Sequence, residues 1–342
     1  MKWHWSLFPL VLAASQALAQ EPPPAPAASS APTLIPGAMQ APPSASFAGE
    51  DSPSDQGSLL SGNHNFPRFI NFMSNPSQSI DPRAVTAIYP LFGSVWTSAE
   101  APIPSADAQL YGPAITVALG ERFAFGLNDG GYVDLHLSRN DRQRLFQRDP
   151  LGRFRDVEVG GSRTGFTDVG GFFQYTLIQN VEEQFLVTGG VRYLAPCGSH
   201  EIFQGHGPLE LSPYLTLGKE FGEFHVLATT GYQFPAGPGN DHSDIFYANI
   251  HFDRRMCGWL YPLVEFNTIY HTTSVSFGLQ SHRGFFDFNS FETSGNIVTV
   301  AVGANAVIVP ERVEFGAVYT TAIATQHDFD VNGLLVKMTL RF

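Results

Sequence analysis

Two cysteines in 342 residues are too few for a disulfide framework, even in an oxidising compartment. Charge is scarce as well, at 15% of the residues, against about 25% in ordinary globular domains. Its balance is acidic, 19 Lys and Arg against 31 Asp and Glu, which excludes the basic footprint of a nucleic-acid binder. No continuous apolar run approaches the roughly 18 residues of a transmembrane helix. What the chain does have is 29 Phe, 11 Tyr and 33 Gly, with a mean hydropathy of only −0.04. Such an average arises when apolar and polar residues alternate, because a strand sends successive side chains to opposite faces.

The last ten residues show this alternation. Leu334, Val336, Met338, Leu340 and Phe342 share one parity; Gly333, Lys337, Thr339 and Arg341 share the other, and only Leu335 breaks the pattern. A terminal Phe closing such a strand resembles the C-terminal signal of Gram-negative outer-membrane barrels, which their assembly machinery reads. At the other end, Met1-Lys2, an apolar run from Leu7 to Ala14 and Ala17-Leu18-Ala19 form a cleavable secretory signal over residues 1–19. An exported chain with alternating strands and no helical span is the profile of a membrane barrel.

Residues 20–57 are rich in Pro, Ala and Ser and read as a disordered linker. In residues 58–80, Phe66, Phe69, Ile70, Phe72 and Met73 cluster between turn residues. They need an apolar place to pack, as a plug in the lumen or a cap on the periplasmic mouth. From residue 81 to 342 the chain reads as strands. Short links near 120, 180, 221, 255 and 310 alternate with longer ones at 138–163, 196–207, 236–243, 271–293 and 324–329. That is the rhythm of an outer-membrane barrel with short periplasmic turns and long external loops. The expected fold is all-β, an antiparallel up-and-down transmembrane barrel of about 12 strands, with 10 or 14 as neighbours. Tyr132, Tyr193, Tyr232, Tyr261 and Tyr270 suit its interfacial girdles. Cys197 then falls on an external loop and Cys257 in a periplasmic turn, too far apart to bond.

The succession Thr164-Gly165-Phe166-Thr167-Asp168-Val169-Gly170-Gly171, a strand ending Tyr193-Leu194-Ala195-Pro196, Leu211-Ser212-Pro213-Tyr214-Leu215 and Thr230-Gly231-Tyr232 resembles the outer-membrane barrel family named for the meta pathway of phenol degradation. The resemblance covers Arg163 to Phe234. It implies a barrel transporter. Phe166 stands where a small residue is usual, and Ala195-Pro196-Cys197 replaces the usual Pro-Thr-Gly.

Parity assigns Asp134, His136, Asp168, Arg192, Glu210, His225, Glu265, Glu314, Lys337 and Arg341 to the lumen, where charges either line a water path or pair across a closed one. The Arg-rich 138–163 loop could contact lipopolysaccharide phosphates or be a solvated loop. The aromatic 271–293 loop could fold into the mouth or pack on the membrane. His200-Glu201…His206 has metal-like spacing but no helix to align ligands, and no Gly-x-Ser-x-Gly accompanies the eleven His. No cofactor, metal or catalytic role is expected. The reading is a passive outer-membrane channel or transporter for a small molecule, hydrophobic ones included, with lipid, solute and the assembly machinery as partners. A structural or surface-contact barrel with a blocked lumen is the alternative, and a barrel lipid hydrolase stands third.

Overall fold

The computed structural model describes residues 60, 62–97, 105–138, 144–148, 154–158, 161–202, 204–205, 208–237, 244–272, 296–326 and 331–342. Its strands are β1 (Ala87–Thr97), β2 (Ala106–Leu119), β3 (Phe123–Asp129), β4 (Tyr132–Leu137), β5 (Arg144–Arg148), β6 (Phe154–Glu158), β7 (Gly161–Phe166), β8 (Val169–Asn180), β9 (Phe185–Ala195), β10 (Glu210–Phe221), β11 (Phe224–Pro235), β12 (Ile245–Arg254), β13 (Leu260–His271), β14 (Asn296–Val309), β15 (Val313–Gln326) and β16 (Val331–Arg341). β3 and β4 both pair with β2 and form one interrupted stave; β7 and β8 form another. β1 pairs with β2 on one side and β16 on the other, so the sheet closes into an antiparallel barrel of 12 staves. Closure removes the open edges that a membrane would not tolerate. β5 and β6 pair only with each other, as a separate hairpin inside the 138–163 connection.

The connections alternate. Tight turns join β2 to β3, β8 to β9, β10 to β11, β12 to β13 and β14 to β15, all at one mouth; the links at the other are longer, except the one between β15 and β16. Among the described residues no helix is long and apolar enough to cross a membrane. Strands do the crossing. Phe173, Tyr175 and Leu177 on β8, Leu215 and Leu217 on β10, and Phe315 on β15 are exposed on the outer face, where lipid lies. The residues between them turn inward and are polar: Gln174 and Thr176 on β8, Thr216 on β10, Glu314 on β15. Tyr132, Tyr232 and Tyr270 are exposed, as a girdle requires. Tyr261 is not: it is 4% exposed and lies 6.0 Å from the His225 ring, inside.

The two interrupted staves carry the main departure from simple alternation. In β3 the even residues face inward, and Asn128 bonds to a carbonyl inside the barrel. In β4 the odd residues Val133, Leu135 and Leu137 are buried instead. Gly130 and Gly131 insert between them, and Gly130 takes φ 140, a conformation that L side chains rarely adopt. One extra residue exchanges the two faces of everything beyond it. Thr167 and Asp168 interrupt the neighbouring stave at the same place, with Gly165 buried before the break and Phe172 and Gln174 after it.

Candidate functional site: the barrel interior

Residues 62–83 lie inside the barrel. Gly62 bridges Val85 and the Asn63 N–H donates to the Ala84 carbonyl at 2.6 Å, so the segment begins and ends at the short-turn mouth. Gly62 has φ +83, and a Cβ there would sit 2.3 Å from the Ala84 carbonyl oxygen. From Gly62 the chain rises along the inside and returns. Phe66, Phe69, Ile70, Phe72 and Met73 are each at most 1% exposed. The wall meets them with apolar residues on the inward face: Leu186 and Leu227 join Phe66, Phe69 and Phe72, while Leu263, Val318 and Leu335 join Met73. Gly218 leaves room for Phe69, whose ring carbon would lie 2.8 Å from a Cβ there. Leu335, the residue that breaks the parity of the last strand, thus points inward at Met73.

The polar wall grips the same segment. Glu265 accepts the Met73 N–H at 2.7 Å, the Ser74 N–H at 2.6 Å and the Ser74 hydroxyl. Asn267 Nδ2 donates to Ser74 Oγ at 2.8 Å. Lys337 Nζ donates to the Phe72 carbonyl. Asn128 Nδ2 donates to the Ser77 carbonyl at 2.6 Å, and Thr188 Oγ1 to the Pro82 carbonyl at 2.5 Å. Gln174 Nε2 reaches the carbonyls of Asp81 and Arg83, both at 3.1 Å. Near the mouth Arg68 pairs with Glu220 at 2.8 Å. Within the segment Arg83 pairs with Asp81 at 2.7 Å and donates to the Phe66 carbonyl at 3.0 Å. Burial by itself would raise the Asp81 carboxyl, but the Arg83 guanidinium beside it holds it below the ordinary range.

A second network runs along β11, β12 and β13. His251 lies between two carboxylates, with Nδ1 2.6 Å from Glu265 and Nε2 2.9 Å from Asp253. An imidazolium can donate to both at once. Asp253 also faces His225 Nδ1 at 2.6 Å. His225–Asp253 and His251–Glu265 are directly opposed cross-strand pairs, the spacing at which side chains of neighbouring strands meet. Elsewhere Arg192 pairs with Asp129, Gln233 donates to Glu210, and Arg341 pairs with Glu314.

Of the residues assigned by parity, Arg192, Glu210, His225, Glu265, Glu314, Lys337 and Arg341 are inward and buried. Asp134 and His136 are not in the lumen. Both are exposed on the outer side of β4, opposite Gln109 and Asp107 of β2, because the Gly130–Gly131 insertion flips that strand. Asp168 is buried in the break between β7 and β8 and accepts the Gly198 and Gly205 N–H groups, both at 2.8 Å, tying down the connection after β9. Sequence reasoning missed His251, Asp253 and Asn267, although each continues the inward parity of its strand. It also missed the gripping role of Asn128, Gln174 and Thr188. Cys197 follows β9 and Cys257 lies in the β12–β13 turn; both thiols are free and exposed. The aromatic 271–293 loop falls largely outside the described residues, as do His206 and the side chains of the Arg-rich connection. Among the described residues no cluster of His, Cys, Asp and Glu could hold a metal.

No protein-family model and no curated protein matches this chain. Solved structures do. An outer-membrane channel of Pseudomonas putida F1 superposes with a TM-score of 0.51 at 10% identity, over 78% of this chain and 98% of that one. This is an outer-membrane β-barrel fold. Two further matches are the β domain of the Bordetella autotransporter BrkA (TM-score 0.43, 13% identity, 75% and 100% covered) and the CymD monoaromatic hydrocarbon channel (0.40, 8%, 83% and 97%). At such identities the likeness is one of fold, and fold does not carry function.

Proposed function

We propose that the chain is a passive outer-membrane channel or transporter for a small molecule, with residues 62–83 as its plug. The grip on the segment carries this reading. It consists of side-chain hydrogen bonds from several staves and one ion pair, Arg68–Glu220, with a single isolated bridge at Gly62. Removing the segment therefore breaks no strand pairing of the wall and exposes inward Gln174, Thr188, Glu265, Asn267 and Lys337, a polar lining suited to a water path. Residues 1–19 serve as the export signal in this reading and 20–57 as a periplasmic linker. The short-turn mouth faces the periplasm, and the strand ending at Phe342 addresses the assembly machinery. Kinship with the phenol-degradation barrel family rests on residues 163–234 and leaves the solute unnamed.

The test is single-channel conductance of the refolded chain from Gln20 beside one starting near Asp81. Current from the shortened chain alone supports a plugged channel. Silence from both, with the barrel folded, points to the second reading, a structural or surface-contact barrel, which the packed interior favours.

A further inference from the structure

A cavity lies between the segment and the wall, lined by Pro76 and Ser77 on one side and by β1, β2, β3, β9 and β16 on the other. Its body is apolar: Leu91, Leu110, Pro113, Ala114 and Leu194. Half of its lining residues carry polar side chains, and two of these hold the segment. Lys337 donates to the Phe72 carbonyl and lies 5.8 Å from the Tyr89 ring. Asn128 donates to the Ser77 carbonyl, and its own Oδ1 is buried with no hydrogen-bond partner among the described residues. The same is true of Thr167 Oγ1 and the Tyr89 hydroxyl, on two other lining residues. A buried acceptor without a partner is destabilising, so a hydroxyl brought to it is welcome. The two lining carboxylates are already engaged: Asp129 with Arg192, Asp168 with the Gly198 and Gly205 N–H groups.

The cavity is about 50 Å³, room for water-sized groups only. Anything larger must push Pro76 and Ser77 aside. Its polar head would meet Asn128, which holds Ser77, and Lys337, which holds Phe72. Occupation of the cavity and release of the segment are therefore one event.

We propose that this cavity is a ligand site for a small, neutral, mostly apolar molecule bearing one hydroxyl or carbonyl, and that its occupation loosens residues 62–83. The inference rests on reading that segment as the plug. Neutrality follows from the exchange at Lys337, where the ligand oxygen replaces an amide carbonyl and the charge of the site stays unchanged. An apolar body follows from the leucines, and a single head from the few polar groups left to satisfy.

The experiment is single-channel recording of the full refolded chain with three matched probes: cyclohexanol, methylcyclohexane and cyclohexanecarboxylate. Cyclohexanol should raise the open fraction roughly tenfold, the other two by no more than about twofold. Leu110→Phe, which fills the cavity, should cut the cyclohexanol response; should that variant not fold, the probe series on the unaltered chain still decides. An equal response to methylcyclohexane overturns the site, since membrane partitioning then explains the effect. A strongest response to the carboxylate overturns the neutral head. Glu265→Gln, outside the cavity lining, separates the two levels. If that variant conducts while cyclohexanol leaves the unaltered chain silent, the ligand site fails and the plug stands. If the variant, the shortened chain and the cyclohexanol-treated chain are all silent, plug and ligand site fail together.

Discussion

Glu265 accepts the backbone N–H of Met73 at 2.7 Å, across 192 residues of chain. The same carboxylate takes Ser74 twice and His251 once, so an acidic group of the wall is satisfied chiefly by the segment it faces. Glu265→Gln keeps the size, removes the charge and places an amide NH₂ among donors. Loss of one partner from a buried charged network costs about 3–5 kcal/mol, and most of it should fall on residues 73–74. The expected outcome is a folded barrel, seen by its heat-modifiable gel mobility, with measurable current and new protease cleavage within 62–83. Unchanged cleavage resistance would mean that Glu265 does not hold the segment.

Gly218 and Phe69 form a size-matched pair across the lumen. A Cβ at Gly218 would approach the Phe69 ring to 2.8 Å. Gly218→Val should therefore cost about 1–3 kcal/mol by overpacking, and Phe69→Ala about 3–5 kcal/mol by the cavity it leaves. Because each change makes room for or fills the other, the double variant should be less destabilised than the sum of the two. Urea unfolding of all four proteins reads this directly. Strict additivity would show that the two sites do not meet.

Acidification tests the Asp81–Arg83 pair. The Asp81 carboxyl is held below its usual value of 3.8, while Arg83 is pushed further up and stays charged. Arg341 also bears on Asp81, and Glu314 and Tyr89 bear on Arg83. A carboxyl with a lowered folded value contributes stability that is complete above its unfolded value and is lost as the pH falls through the folded one. Protease resistance of 62–83 should thus be flat from neutral to about pH 5 and fall only below the ordinary carboxylate range. In Asp81→Asn this acid step should shrink and resistance at neutral pH should drop. A wild-type step already present near pH 6 would count against the pair.

The two thiols report orientation. Cys197 and Cys257 are both exposed, one in the long link between β9 and β10 and one in the tight turn between β12 and β13. On intact cells a membrane-impermeant maleimide should label Cys197 and spare Cys257, and both should react after lysis. Labelling of Cys257 alone on intact cells would invert the proposed topology.

Much of this was legible in the sequence, because a barrel in lipid writes its two faces directly into alternate residues. The stave count follows from the rhythm of short and long links, and the inward set from Arg192 to Arg341 from parity. Parity failed where one residue was added. Gly130-Gly131 turned Asp134 and His136 outward, and no composition signal marks which of two adjacent glycines resets a strand. The interior packing was half visible. Phe66, Phe69 and Phe72 announced an apolar need, and Leu335 broke its pattern to meet Met73, yet a lone inward leucine looks like noise until its partner is known. The grip of Asn128, Gln174 and Thr188 on backbone carbonyls was hidden, since any inward polar residue could have made those bonds.

Gly62 and Ala84 meet at the same mouth, and this settles a question of topology. The stretch between them is a finger in a thimble, not a thread through a needle. It can be drawn out and put back while every stave keeps both neighbours, and no chain end has to pass through the wall. A segment entering at one mouth and leaving at the other would be captive until the ring itself parted. Here the obstacle to leaving is only the sum of contacts along its length, so its residence inside can be tuned one side chain at a time.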